Sequence, residues 1–198
     1  KSRRSPFDVD HFRPKLGVTV DGKPLPGNLG YYWLAYEWWN FRLSCQRCNR
    51  PEKINKTTCR GKWNEFPLQS EHSRCAPTSL TLDQEAPRFL DPCVQSDCDL
   101  LAYGIDGEVK PAKPAGTWEH ERARYTIDQL GFNDWNVPED RKKDWQGLSL
   151  LVNLAGDVPP PGVATHVSRF LAQDQEYSRF FRSAVGTHRD KQWVEALL

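Results

Sequence analysis

The pair Cys45 and Cys48, in the stretch "NFRLSCQRCNRPEK", constrains this chain more than any other feature. Thiols two residues apart form a metal-binding turn, and a structural zinc site closes with four ligands. The chain must then fold so that two more donors meet this turn. His72-Ser-Arg-Cys75 repeats the spacing farther on, and Cys59 is a further candidate. A second cysteine pair upstream of Lys1 is a third source. Two reduced cysteines without metal remain the alternative.

The six cysteines, at 45, 48, 59, 75, 93 and 98, also permit a disulfide framework. A chain of 198 residues builds a core without such staples, so a reducing compartment is expected. No apolar run approaches the ~20 residues that span a membrane. The chain starts at Lys1 and contains no Met, so its N-terminus does not report targeting.

The net charge of +1 conceals an asymmetry. Residues 1–65 hold 13 Lys and Arg against 6 Asp and Glu, and the rest hold 14 against 20. A basic first third and an acidic remainder suggest a nucleic-acid face on the former, or simply a solvated basic surface. Eight Trp in a chain that is 12% aromatic supply either core or stacking surface.

Periodicity gives the layout. "FDVDHFRPKLGVTVDGKPLPGN" reads as a strand, a loop and a hairpin return, with Val18 and Val20 alternating and Asp21-Gly22 as the turn. In "YYWLAYEWWNFRLSC", Trp33, Tyr36 and Asn40 stand at helical spacing, so a short helix is expected. "RPEKINKTT" reads as a basic helical or turn segment. Residues 57–99 read as loops around a short strand ending in "PRFLDP". "LLAYGIDGEVKPA" reads as a hairpin turning at Asp106-Gly107. Ala123, Ile127 and Leu130 predict a helix from Trp118 that stops at Gly131. A second helix is expected over about 138–155, and "DVPPPG" breaks the chain. A last helix or pair covers about 163–197, with Val163, Val167, Phe170 and Leu171 on one stripe. The fold class is α+β, with a small mixed site in the first third and a mostly helical remainder. Three regions are expected: 1–68, the loop-rich 69–115 with its hairpin, and the helical 116–198.

The chemistry gathers in two stretches. In "DVDHFRPK", Asp10 and His11 are adjacent, so on a strand they face opposite ways and do not form a simple acid–base dyad. A bulge or a strand end lets the carboxylate hold a metal while the imidazole addresses a water. Asp8 shares the face of Asp10, as a supporting group or a surface carboxylate. Asn49 either caps a turn or, with Asp10, makes an oxygen-rich site suited to Mg²⁺ or Mn²⁺. Lys53, four residues on, is placed to meet a phosphate.

With these residues in view, "DVDHFRPK … YYWLAYEWWNFRLSCQRCNRPEKINK" resembles the HNH endonucleases, the ββα-metal nuclease family. More narrowly, it is similar to the HNH nucleases of Septu-type anti-phage systems and their retron-associated relatives. The likeness extends through Phe66-Pro67-Leu68, Leu90-Asp91-Pro92 and "RARYTIDQLGFN", about residues 7–135. The resemblance implies a ββα-metal core in the N-terminal third. His11 matches the general base, and Asp10 and Asn49 match the ligands of the catalytic Mg²⁺ or Mn²⁺. Asn40 matches the middle asparagine that orients the base. Cys45 and Cys48 match half of a structural Zn²⁺ knuckle. Members commonly carry a C-x-x-C pair upstream, whereas here nine residues without cysteine precede Asp10. Many members end the motif in His where this chain has Asn49, which implies a preference for hard ions.

The resemblance further implies DNA cleavage leaving 5′-phosphate and 3′-hydroxyl ends, an ATPase partner subunit, and a bacterial cytoplasmic setting. Arg13, Lys15, Arg47, Arg50, Lys53 and Lys56 would hold the DNA backbone without reading sequence. The helical C-terminal region, with Trp118, Trp135, Trp145 and Trp193, is a candidate docking surface or an ordinary core. Two other classes stay open: a non-catalytic zinc-knuckle module that binds nucleic acid, and a secreted disulfide-rich protein.

Overall fold

The structure is a computed structural model that describes residues 6–78, 81–172 and 178–198. It has a mixed α+β N-terminal region and a largely helical C-terminal one. The chain gathers into two compact units. One holds the described residues up to Leu101 together with Pro111–Gly131, and the other holds Ala102–Lys110 and Phe132–Leu198. This division cuts across the sequence boundaries at 68 and 116, because the helix beginning at Trp118 belongs with the first unit.

In the first unit, β1 (Phe7–His11) pairs antiparallel with β4 (Phe41–Cys45). The register runs from Phe7 opposite Cys45 to His11 opposite Phe41, residue for residue. Alternation then sorts the side chains. Asp8, Asp10, Arg42 and Ser44 share one face, and Phe7, Val9 and Leu43 lie exposed on the other. The helix expected around Trp33, Tyr36 and Asn40 does not form. Two short 3-10 turns, Tyr32–Leu34 and Trp38–Asn40, lead straight into β4. The three residues share no face: Asn40 is buried, Trp33 half-buried and Tyr36 exposed. Pairing with β1 outweighs the local spacing.

Between β1 and β4, β2 (Thr19–Val20) and β3 (Lys23–Pro24) form the expected hairpin. Its turn residues Asp21 and Gly22 have φ of 50° and 77°. Positive φ at both central positions is the turn whose twist matches flanking strands, and Asp-Gly tolerates it. After β4 comes the single-turn α1 (Gln46–Asn49). The segment expected to be helical or a turn forms no helix and supplies the turn of a hairpin, β5 (Glu52–Lys53) with β6 (Cys59–Arg60). Residues 61–94 are mainly loops, and the expected strand at "PRFLDP" is reduced to one bridge between Leu68 and Pro87. Ser79 and Leu80 of that segment lie outside the described residues.

Next come α2 (Gln95–Cys98), the strands β7 (Leu101–Tyr103) and β8 (Val109–Pro111), and α3 (Trp118–Leu130). Thr117 caps α3 by accepting from the His120 amide at 3.2 Å, and Gly131 ends it with φ of 66°. Ala123, Thr126 and Ile127 turn inward. The core of this unit centres on Phe12, Tyr31, Leu34, Phe66 and Phe89. Phe66 and Leu68 of the "FPL" stretch belong to it, so that motif is scaffold.

The second unit carries α4 (Val137–Ala155), α5 (Val163–Leu171), α6 (Ser178–Val185) and α7 (Gln192–Glu195). Its core joins Trp145, Leu148, Val152, Val167, Leu171 and Phe180 among others. Val163 and Phe170 pack against it, as their stripe predicts. Residues 173–177, within the expected last helical stretch, lie outside the described residues. No described helix is long and apolar enough to cross a membrane.

Candidate functional site

His11 sits at the end of β1, where the regular pairing stops. Alternation along β1 sends its side chain to the face opposite Asp10. Its Nε2 lies 2.9 Å from the Ala35 carbonyl oxygen, and its ring meets Phe41 edge-on at 4.9 Å. A carbonyl only accepts, so Nε2 carries the hydrogen. In the neutral ring the lone pair is then on Nδ1.

Asn40 fixes the backbone around this imidazole. It is fully buried, and its Oδ1 accepts from the Arg13 amide at 2.8 Å. Its Nδ2 donates to the carbonyls of Arg13 and Leu34, at 3.1 and 3.3 Å. Its own carbonyl accepts from Phe12 N at 2.8 Å. One amide thus ties the residues that follow His11 to the residue before Ala35, whose carbonyl holds the ring.

On the polar face, Asp10 meets Lys62, a residue the sequence reading passed over. Its Nζ lies 3.1 Å from the Asp10 carboxylate and donates to the His11 carbonyl at 2.7 Å. Lys62 is buried, and burial pushes its ammonium below the usual lysine range while Asp10 pulls it back. Its backbone amide donates to the Cys48 carbonyl, and that of Trp63 to the Asn49 carbonyl, both at 2.7 Å. A single residue therefore joins Asp10 and His11 to the end of α1, where Asn49 stands. Gly61 makes this approach possible. A Cβ there would lie 2.0 Å from the Arg50 carbonyl oxygen, and its φ of 108° suits glycine alone. Gln129 of α3 brackets Gly61, accepting at 2.8 Å and donating at 3.0 Å.

Asn49 donates to Asp8 at 3.0 Å, and Arg50 grips the same carboxylate with two bonds, at 2.8 and 2.9 Å. The Arg50 and Asn49 bonds hold Asp8 below the usual carboxylate range. Asp8 is thus a bonded partner of Asn49. Arg42, opposite Asp10, is clasped by Asp91 through two of its nitrogens, Nε at 2.7 Å. Asp91 belongs to the "LDP" stretch, which thereby acts as a brace for β4.

Cys45 and Cys48 bring their sulfurs to 3.0 Å, and the Cys45 sulfur accepts from the Cys48 amide. The Cys48 thiol bond, with helix-start amides and Arg47 adding to it, lowers the Cys45 thiol to about 6. Among the described residues, none of the six cysteines is joined in a disulfide. His72 and Cys75 do not join them. The Cys75 thiol bonds the Thr81 carbonyl at 3.0 Å, and its amide bonds Glu85. Among the described residues, no three His, Cys, Asp or Glu gather as a metal site. The donors present supply half of a four-ligand zinc site and do not complete it. Asp8 and Asp10 share a strand face, Asn49 donates to Asp8, and the Lys62 ammonium sits against Asp10.

The expected phosphate-binding cations divide. Lys15, Lys53 and Lys56 are exposed. Arg50 is held by Asp8, and Arg47 lies 3.6 Å from Glu52. Arg13 is half-buried and paired with Glu85 at 2.8 Å. Glu85 also accepts from the Tyr31 hydroxyl at 2.6 Å and the Cys75 amide at 2.9 Å. Burial, reinforced by Glu85, pushes the Tyr31 phenol far above its usual range.

No protein-family profile and no solved structure matches the chain. Among curated proteins it is similar to a Septu protein, PtuB, of Bacillus mycoides (strain KBAB4). The two are 32% identical over 103 residues, which cover 52% of this chain and 32% of that protein. The chain thus spans about a third of the length of the relative it matches.

Proposed function

We propose that this chain is a metal-dependent HNH endonuclease that hydrolyses DNA and serves a Septu-type anti-phage system. The observation that carries the reading is the state of His11. With Nε2 donating to the Ala35 carbonyl, Nδ1 is left as an acceptor for a proton from water. The antiparallel pair of β1 and β4, followed directly by α1, supports this reading, with the β2–β3 hairpin inserted between the two strands. The likeness to a Septu protein supports the defence assignment.

Each residue then has a task. His11 takes the proton of the attacking water, and the Ala35 carbonyl keeps the ring turned as it becomes imidazolium. Asn40 holds the two backbone segments that set this direction. Asp10 and Asn49 would hold Mg²⁺ or Mn²⁺, with Asp8 orienting the Asn49 amide. Such an ion, when bound, supplies charge stabilisation for the phosphorane-like transition state and the leaving oxygen. Lys15, Lys53 and Lys56 contact phosphates along the strand. Cys45 and Cys48 would contribute to a zinc site whose remaining ligands come from elsewhere. An ATPase subunit is the partner this reading assigns, in a bacterial cytoplasm.

Nicking of a supercoiled plasmid tests the reading, with Mg²⁺, Mn²⁺ or EDTA, on the wild-type chain and on His11→Ala. Loss of the base should slow nicking by roughly 10²–10⁴-fold. EDTA should abolish it, while DNA binding by His11→Ala persists. Undiminished nicking by His11→Ala would overturn the enzyme assignment. Binding without any nicking by the wild-type chain and its partner would favour a binding module instead.

A further inference from the structure

The 31–41 segment divides its rings between inside and outside. Tyr31 and Leu34 are buried, whereas Tyr36 is 96% and Trp38 85% exposed. These outer rings belong to the loop that positions His11. Tyr36 directly follows Ala35, whose carbonyl holds the imidazole. Trp38 meets Phe41 edge-on at 6.1 Å, and Phe41 meets His11 at 4.9 Å. A continuous line of rings therefore runs from the proposed base into solvent.

A third exposed ring lies on the loop that carries Lys62. Trp63 is 56% exposed and has a φ of 46°, the left-handed region that a bulky side chain rarely adopts. Its amide bonds the Asn49 carbonyl, and it follows Lys62, which reaches Asp10 and His11. Backbone strain and an exposed indole at one position earn nothing for the core.

Resting on the nuclease reading above, we propose that Tyr36, Trp38 and Trp63 stack on unpaired bases flanking the scissile phosphate. The substrate is then DNA whose strand is single or opened at the cleavage point. Bases inside a duplex already stack on one another and offer no face to a side chain, whereas unpaired bases do. The exposed cations Lys15, Lys53 and Lys56 of the same unit complement the backbone of such a strand. A protein partner seated on Trp38 would lie across Phe41 and His11 and close the site.

The test uses the full chain carrying His11→Ala, with a DNA strand containing 2-aminopurine, offered alone and annealed into a blunt duplex. The single strand should bind at least about tenfold more tightly, with its fluorescence quenched by stacking, since one stacked base is worth ~1–3 kcal/mol. Adding Trp38→Ala or Trp63→Ala should weaken single-strand binding about tenfold and relieve the quenching, leaving duplex binding unchanged. Trp38→Phe should restore most of both. Trp38 is solvent-facing, so its loss leaves the fold standing. Equal affinity for both forms, or single-strand binding and quenching indifferent to Trp38 and Trp63, would overturn the proposal. Nicking by the wild-type chain is read separately, so a failure of hydrolysis and a failure of stacking are told apart.

Discussion

The two compact units are held together by different forces. In the second, apolar side chains from four helices meet, and Val152, Val167 and Val185 are fully buried. In the first, the apolar core is threaded by buried charges and amides. Glu85 holds Arg13, Tyr31 and Cys75 together, Asp91 braces Arg42, and Arg122 clasps Asp97 at 2.6 Å. Apolar packing is non-directional and tolerates small shifts. Paired polar groups fix atoms by distance and angle, and lose heavily when one partner is removed. The first unit's polar pairs hold the segments around Asp10 and His11 in register, as the proposed reaction requires.

The sharpest way to break this contrast is Glu85→Ala. It removes the acceptor of the half-buried Arg13 guanidinium, the buried Tyr31 hydroxyl and the Cys75 amide, losses that together cost about 3–5 kcal/mol. Chemical denaturation should show the loss, and nicking should fall with it, since Arg13 carries the backbone that Asn40 holds. In the second unit, Leu148→Ala opens a cavity costing roughly 2–5 kcal/mol. There the melting temperature should drop while nicking per folded molecule, measured well below it, stays at the wild-type rate. A nicking defect matching the stability loss would erase the distinction between the units.

The smallest effect concerns Cys45. Its thiol lies near 6, below the ordinary value, so the folded state favours the thiolate. This contribution to stability is complete above the unfolded thiol's range, and fades as pH falls through about 6. Alkylation of the chelator-treated chain should reach half its maximal rate near that pH. Cys48→Ala removes the thiol donor that is the main cause, and should move the midpoint upward. An unmoved midpoint would locate the cause in the helix-start amides instead.

What could be read from the sequence was local. Asp21-Gly22 announces its hairpin and Gly131 the end of α3, because each needs only its own backbone geometry. His11, Asp10, Asn40 and Asn49 could be named as a group because their motif spacing resembles a known family. The structure places Asn40 beneath the His11 loop, and Asp10 beside Lys62. The failures were non-local. Trp33, Tyr36 and Asn40 mimic a helix until β1 is available as a partner for Phe41–Cys45. Arg13 looks like a phosphate ligand until Glu85, far along the chain, arrives beside it. Lys62 carries no motif at all. Its meaning comes from a fold that brings it to Asp10 and to the last carbonyls of α1.

That bracket around Gly61 sets how small a portable version of this site can be made. Truncation at residue 68 would retain Asp10, His11, Asn40, Asn49 and both knuckle cysteines and discard Gln129, the clamp that seats the loop bearing Lys62. A transplantable cassette has to run on through Gly131, and a graft of the Asp-His and Cys-x-x-Cys stretches alone would carry the reagents without the vise.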